Sequence, residues 1–282
     1  MMQRLPILWF ALLGICSTPA PSQAQELRVY TTIRDLSTPA AAKNPDQAPV
    51  LVRSLMLFHA GKVYDYIEPA HEVTFFEPAH RRFTVLNLRR QLCSELTQDE
   101  IRQFLGLAED EAHRRLGIET PDASPSTRKS LELVKFQVQP DFTTTFDAGK
   151  LQLSLTSPNF EYVVDGFKPP SSDIVEKYLH VADWTAQLNS VLRPQSLLPA
   201  PRLQLNEVLR ERQILPSTVI LRADTDPALH LQARHEWTWT FSKTDRQMID
   251  DWDRHLLDQN LRKLPFRQFQ QEMLKTEIAR KR

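Results

Sequence analysis

VLVRSLMLFHAGKVYDYIEPAHEVTFFEPAHRRFTVLNL, residues 50–88, decides the fold. Four apolar-rich runs, Val50–His59, Val63–Ile67, Glu72–Phe76 and Phe83–Leu88, are separated by only a few residues each. Connections this short join antiparallel neighbours, because a parallel pair needs a crossover of a dozen or more residues. The spacing therefore predicts a four-strand meander. The first run is apolar on both faces, so both sides of its sheet must be covered.

Working outward, residues 27–36 alternate Leu27, Val29 and Ile33 against Arg28, Tyr30 and Arg34, the period of a strand. Residues 37–49 read as a Pro- and Ala-containing loop. After Cys93, Thr97-Gln98-Asp99-Glu100 fits a capping box and opens a helix predicted to reach about Leu116. Residues 119–130 read as a linker, followed by strands over Leu131–Val138, Leu151–Leu155 and Tyr162–Val164. Ser171-Ser172-Asp173 opens a second helix that stops before Pro194, and a shorter one covers about Leu203–Arg212. Thr218–Arg222 and Leu229–Phe241 form a hairpin. In its second arm Leu229, Leu231, Ala233, His235, Trp237, Trp239 and Phe241 share one face by alternation. Thr244 caps a last amphipathic helix carrying Met248, Ile249, Trp252, Leu256 and Leu257. A helical tail ends in Arg280-Lys281-Arg282. Strands grouped between helices indicate an α+β fold with an antiparallel sheet.

The chain has 282 residues, with 41% hydrophobic and 25% charged, in the range of ordinary globular domains. Basic and acidic residues number 35 each, so the basic bias of a nucleic-acid binder is absent. Six glycines leave little room for phosphate-binding loops. Arg4, the apolar run Leu5–Cys16 and the small residues Ser22 and Ala24 read as a signal peptide over residues 1–24, with the mature chain starting at Gln25. An uncleaved anchor is the alternative; lipidation of Cys16 is disfavoured by Ile15 before it. The compartment expected is periplasmic or extracellular. Cys93, the single mature cysteine, is expected to be a buried thiol on a strand.

Catalytic signatures are missing: there is no His-Glu-x-x-His, Gly-x-Ser-x-Gly or dinucleotide glycine motif. The repeated Glu-Pro-Ala-His at 68–71 and 77–80 suggests metal ligands, but as turns at the two ends of one strand they lie about 17 Å apart. One ion cannot reach both. His235 and Glu236 are strand neighbours and face opposite ways. Asp250, Asp251 and Asp253 fit a solvated helix face, with Asp250 spaced to pair with Arg254. Neither a metal nor a cofactor is expected.

VYDYIEPAHEVTFFEPAHRRFTVLNLRRQLCSELTQDEI, residues 63–101, resembles exported bacterial proteins of uncharacterised function. Its arrangement also looks like the lipoprotein-carrier and lipoprotein-receptor half-barrels. That resemblance implies a curved antiparallel sheet wrapped around helices, with acyl chains held on the concave side, and no catalytic residue. The expectation is one half-barrel-like domain over 25–264 and a helical basic tail over 265–282. Its role is non-catalytic binding of an apolar or lipidated ligand, or of an envelope protein. Expected partners are a lipid or an acylated protein, with no nucleic acid and at most peripheral membrane contact. The candidate ligand-binding residues are Phe75, Val85, Trp237, Trp239 and Phe241, provided that the helices over 172–192 and 244–262 cover one side of the sheet. A structural protein with a filled core is the alternative, and a hydrolase the third reading.

Overall fold

A computed structural model describes residues 26–118, 124–193 and 196–280. The signal-peptide reading lies outside them. One open sheet of twelve strands organises the chain. Its first strands are β1 (Leu27–Asp35), β2 (Val50–His59), β3 (Lys62–Ile67), β4 (Glu72–Glu77), β5 (Arg82–Asn87) and β6 (Leu92–Thr97). The others are β7 (Thr143–Asp147), β8 (Gln152–Thr156), β9 (Phe160–Phe167), β10 (Leu215–Ala223), β11 (Leu229–Thr238) and the two-residue β12 (Arg262–Lys263). The spatial order is β12-β6-β5-β4-β3-β2-β1-β11-β10-β9-β8-β7. Every pairing is antiparallel except β12 with β6.

Laid flat, twelve strands would span about 53 Å. Instead the sheet curves around helices. Leu96, beside one edge, joins the same hydrophobic core as Leu153, beside the other. The helices are α1 (Pro39–Lys43), α2 (Gln98–Leu116), α3 (Pro125–Val138), α4 (Ser172–Leu192), α5 (Ala200–Arg212), α6 (Lys243–Leu256) and α7 (Phe266–Arg280). Helices α2 to α5 and α7 contribute to the concave-side core. Helix α6 packs its Ile249 and Trp252 against the convex side, on Leu55, Leu57, Tyr64, Val73 and Phe75. The two-sided apolar pattern of β2 thus divides residue by residue: Leu55 and Leu57 face α6, while Met56 and Phe58 face the concave core.

The meander, the capping box of Thr97 and Glu100, and buried Cys93 on β6 match the sequence reading. The β2–β3 turn uses Ala60 and Gly61, both at positive φ, and the next two meander turns are made without glycine. Pro69 and Pro78 lie in short 3-10 turns, and His71 and Arg81 close them in the left-handed conformation. These two turns sit at opposite ends of β4, as their spacing requires.

Several expectations are corrected, among them the loop over 37–49, which contains the short helix α1. Residues 131–138 are helical: Ser124 caps α3 by accepting from the Thr127 amide and Pro125 occupies its first turn, so part of the expected linker is helix too. The cap of α6 is Ser242, not Thr244; it forms a capping box with Asp245, which also holds Arg28. Leu257 falls just past that helix and is 82% exposed. Arg254 pairs with Asp251 rather than Asp250, and Asp253 accepts a hydrogen bond from the Tyr64 hydroxyl. Helices α4 and α6 cover opposite faces of the sheet, not the same one. The C-terminal helix is also tied into the domain, since Phe266 and Phe269 are buried in the concave core.

Candidate functional site

Two cavities lie between α4 and the concave face of the sheet, and the strand period places them side by side. Phe58 and Val63 are paired across β2 and β3 and border the first, a space of about 340 Å³. Met56 and Asp65, the next inward pair, border the second, of about 300 Å³. Successive inward positions on a strand are about 7 Å apart. The first cavity is closed by Val181 and His180 of α4, with Ala60 and Pro78 at the turns and Lys62 and Lys177 at its rim. Lys177 lies over the Phe58 ring at 5.4 Å, and burial lowers its ammonium pKa.

The second cavity has an apolar wall of Val29, Ile33, Val52, Met56, Ile67, Ala182 and Ala186. Across it runs a row of polar groups. His235 on β11, Thr31 on β1 and Ser54 on β2 are directly opposite one another in register. The Thr31 hydroxyl lies 2.8 Å from His235 Nδ1, and Nε2 is enclosed with no hydrogen-bond partner. Whichever ring nitrogen holds the proton, one group of the imidazole stays unsatisfied. Such a group costs about 1–3 kcal/mol. Burial, helped by the charge of Arg202, pushes the His235 pKa down to about 3, so the ring is neutral.

Asp65 is the cavity's one carboxyl, and it has no hydrogen bond or ion pair from its side chain among the described residues. Burial first, and then the charge of Glu72, push its pKa up to about 7, against a smaller opposing effect of Arg193. Glu72 is itself buried and held by Arg193 Nη2 at 3.1 Å, so that pair has already taken the nearby cation. Arg202, from the first turn of α5, is the cavity's one cation. Its Nε donates to Asn206 Oδ1 at 3.0 Å, and no carboxylate pairs with it among the described residues.

The five residues singled out in the sequence do not assemble. Trp237 and Trp239 stack on the concave side with ring centres 6.3 Å apart. There Tyr178 of α4 and Phe167 cover Trp237, and its Nε1 donates to the Pro216 carbonyl. Val85 is fully buried in the same core. Phe75 and Phe241 belong to the convex core instead. Strand β11 ends at Thr238, so its alternation does not carry to Phe241, which turns to His59 and α6. None of the five borders either cavity beneath α4.

Asp65 and His235 had a readable signal. Each is a polar residue in an apolar inward row, Val63-Asp65-Ile67 and Ala233-His235-Trp237. Arg202 had none, because only the fold brings α5 against the cavity. Among the described residues, no group of three or more His, Cys, Asp or Glu is placed to hold a metal ion, and no helix is long and apolar enough to cross a membrane. Comparison of the sequence with protein-family models and with curated proteins found no match, so the site must be read from its own residues.

Proposed function

We propose that this protein is a non-catalytic binder of an apolar or lipidated ligand, working after export in the periplasm or outside the cell. One observation carries the reading: two adjoining, mainly apolar cavities between α4 and the curved sheet. A filled-core structural protein has no use for this space, since tight packing there would add stability. Each buried CH₂ of a ligand contributes about 0.8 kcal/mol, so a short acyl chain can bind measurably without tight capture. An acylated protein could present such a chain.

The test is calorimetric titration of the full chain with decanol as an uncharged apolar probe. Saturable binding is expected, and Ala182→Phe, which fills the second cavity from α4, should weaken it at least tenfold while leaving the far-UV spectrum intact. Absence of saturable binding would end this reading in favour of the filled-core one.

A further inference from the structure

Arg202 and Asp65 both stand in the second cavity without a salt-bridge partner, but their positions differ chemically. A buried carboxyl can escape its desolvation penalty by keeping a proton. A guanidinium cannot, because it stays charged throughout the working range of proteins. Its only side-chain partner among the described residues is the neutral Asn206. Asn206 is fully buried and already committed, its amide donating to Asp183 Oδ1 at 2.7 Å. Asp183 in turn is engaged by Arg210 at 2.8 Å, so that carboxylate is not available to Arg202. Half-buried Arg202 therefore presents a fixed positive charge without a carboxylate partner among the described residues, beside an apolar wall and neutral polar groups from Ser54, Thr185 and Asn189.

We infer that the second cavity takes a carboxylate-headed amphiphile, a medium-chain fatty acid anion, with its carboxylate on the Arg202 guanidinium and its chain along Val29, Val52, Met56 and Ala186. This rests on the ligand-binding reading above and names the ligand's chemical class. The pairing is geometrically suited, since a guanidinium matches a carboxylate with two parallel hydrogen bonds. The space suits the size. A volume of about 300 Å³ equals that of roughly ten waters in the liquid. While Asp65 keeps its proton, a cationic amphiphile is disfavoured, because it would bring like charge against Arg202.

The experiment compares decanoate, decanol and decyltrimethylammonium by calorimetric titration of the full chain, as wild type, Arg202→Met and Arg202→Lys. Wild type should bind decanoate at least tenfold tighter than decanol, and the cationic probe most weakly. Arg202→Met should erase the preference for decanoate while keeping decanol affinity, which also reports that the fold survives the loss of the Asn206 contact. Arg202→Lys should retain part of the preference, as a point charge without the planar fork. Equal affinities of wild type for decanoate and decanol, or an unchanged preference in Arg202→Met, would overturn the inference and leave apolar binding standing. Failure of all three probes to bind would overturn both. If Arg202→Met loses decanol binding as well, Arg202→Lys decides: a preference reduced but present supports the carboxylate contact, and one unchanged or absent refutes it.

Discussion

The two faces of β2 and β3 are built from interleaved residues of the same two hairpin arms, yet they pack differently. On the convex face Leu55, Leu57 and Tyr64 meet Trp252 and Ile249 of α6, and the Tyr64 hydroxyl is matched by Asp253. Burial and the charge of Asp253 raise the Tyr64 pKa, which keeps that hydroxyl a donor. On the concave face the inward row alternates apolar and polar groups, Phe58, Met56 and Ser54 against Val63, Asp65 and Ile67. Helix α4 crosses this row with small side chains, Ala182 and Ala186, where it meets the polar groups. Around Leu57, α6 packs closely on its side of the sheet, while α4 on the other side spans a gap. The difference lies in residue choice at the inward positions rather than in backbone geometry, because both faces share one set of strands.

That contrast can be broken by two substitutions one residue apart. Leu57→Ala removes a fully buried side chain from the sealed face and should cost about 4 kcal/mol, the transfer loss plus a new void. Met56→Ala, on the cavity side, enlarges a space that already exists, so only the transfer part is lost and the cost should be about 1–2 kcal/mol. Urea unfolding measures both. Equal costs would mean that the concave face closes in solution and the cavity is not kept open.

Most of the fold was legible because local chemistry and hydrophobic period agreed. The meander, the Thr97 cap and the hairpin of β10 and β11 each carried their own signal. Where two local signals conflict, the capping chemistry outweighs the alternation. LELVKFQV alternates like a strand, but Ser124 and Pro125 ahead of it start a helix, and Leu133, Phe136 and Gln137 then turn inward at helical spacing. The binding residues were harder. Trp237, Trp239 and Phe241 stood out by size, and size is what a core uses. Asp65 and His235 were hidden by ordinary neighbours. The assembly around Arg202 depends on α5 folding back beside α4, which no short stretch of sequence encodes.

The two titratable groups of the cavity pull stability in opposite directions with pH. Asp65 has a folded pKa of about 7, above its unfolded value, so between about 4 and 7 the native state holds a proton that the unfolded chain has lost. Its effect is to lower stability as pH rises through that window. Glu72 and Arg193 are the charges that face it, with Tyr178 above it from α4. His235 has a folded pKa of about 3, below its unfolded value near 6.5, and so lowers stability as pH falls from about 6.5 toward 3. Arg202 is the charge acting on it. In wild type the two trends partly cancel. Asp65→Asn should stabilise the protein by about 1–2 kcal/mol at pH 8 and by less at pH 5. Urea unfolding at the two pH values checks this, and an equal gain at both would show that Asp65 is already charged at pH 5.

The smallest expected effect concerns the turns, which belong to both faces. Gln91, between β5 and β6, has φ +51°, a left-handed conformation that costs a residue with a Cβ about 1–2 kcal/mol. Its side chain is exposed and makes no hydrogen bond among the described residues; only its backbone carbonyl is used, by the Arg262 amide. Gln91→Gly therefore relieves the strain and gives up little else. Glycine's extra freedom in the unfolded chain takes back about 0.5–1 kcal/mol, leaving a net gain of about 0.5 kcal/mol. Arg81→Gly at the equivalent turn should gain less, because Arg81 bonds Gln98 and Asp99 at the start of α2. The Gln91→Gly background also sharpens the comparison of faces. A turn exposed to solvent shares no packing partner with either Leu57 or Met56, so the gap between Leu57→Ala and Met56→Ala should persist there within about 0.5 kcal/mol. A gap that shrinks by more would mean that the turn sets how closely the strands pack, and that the two faces are coupled through the backbone they share.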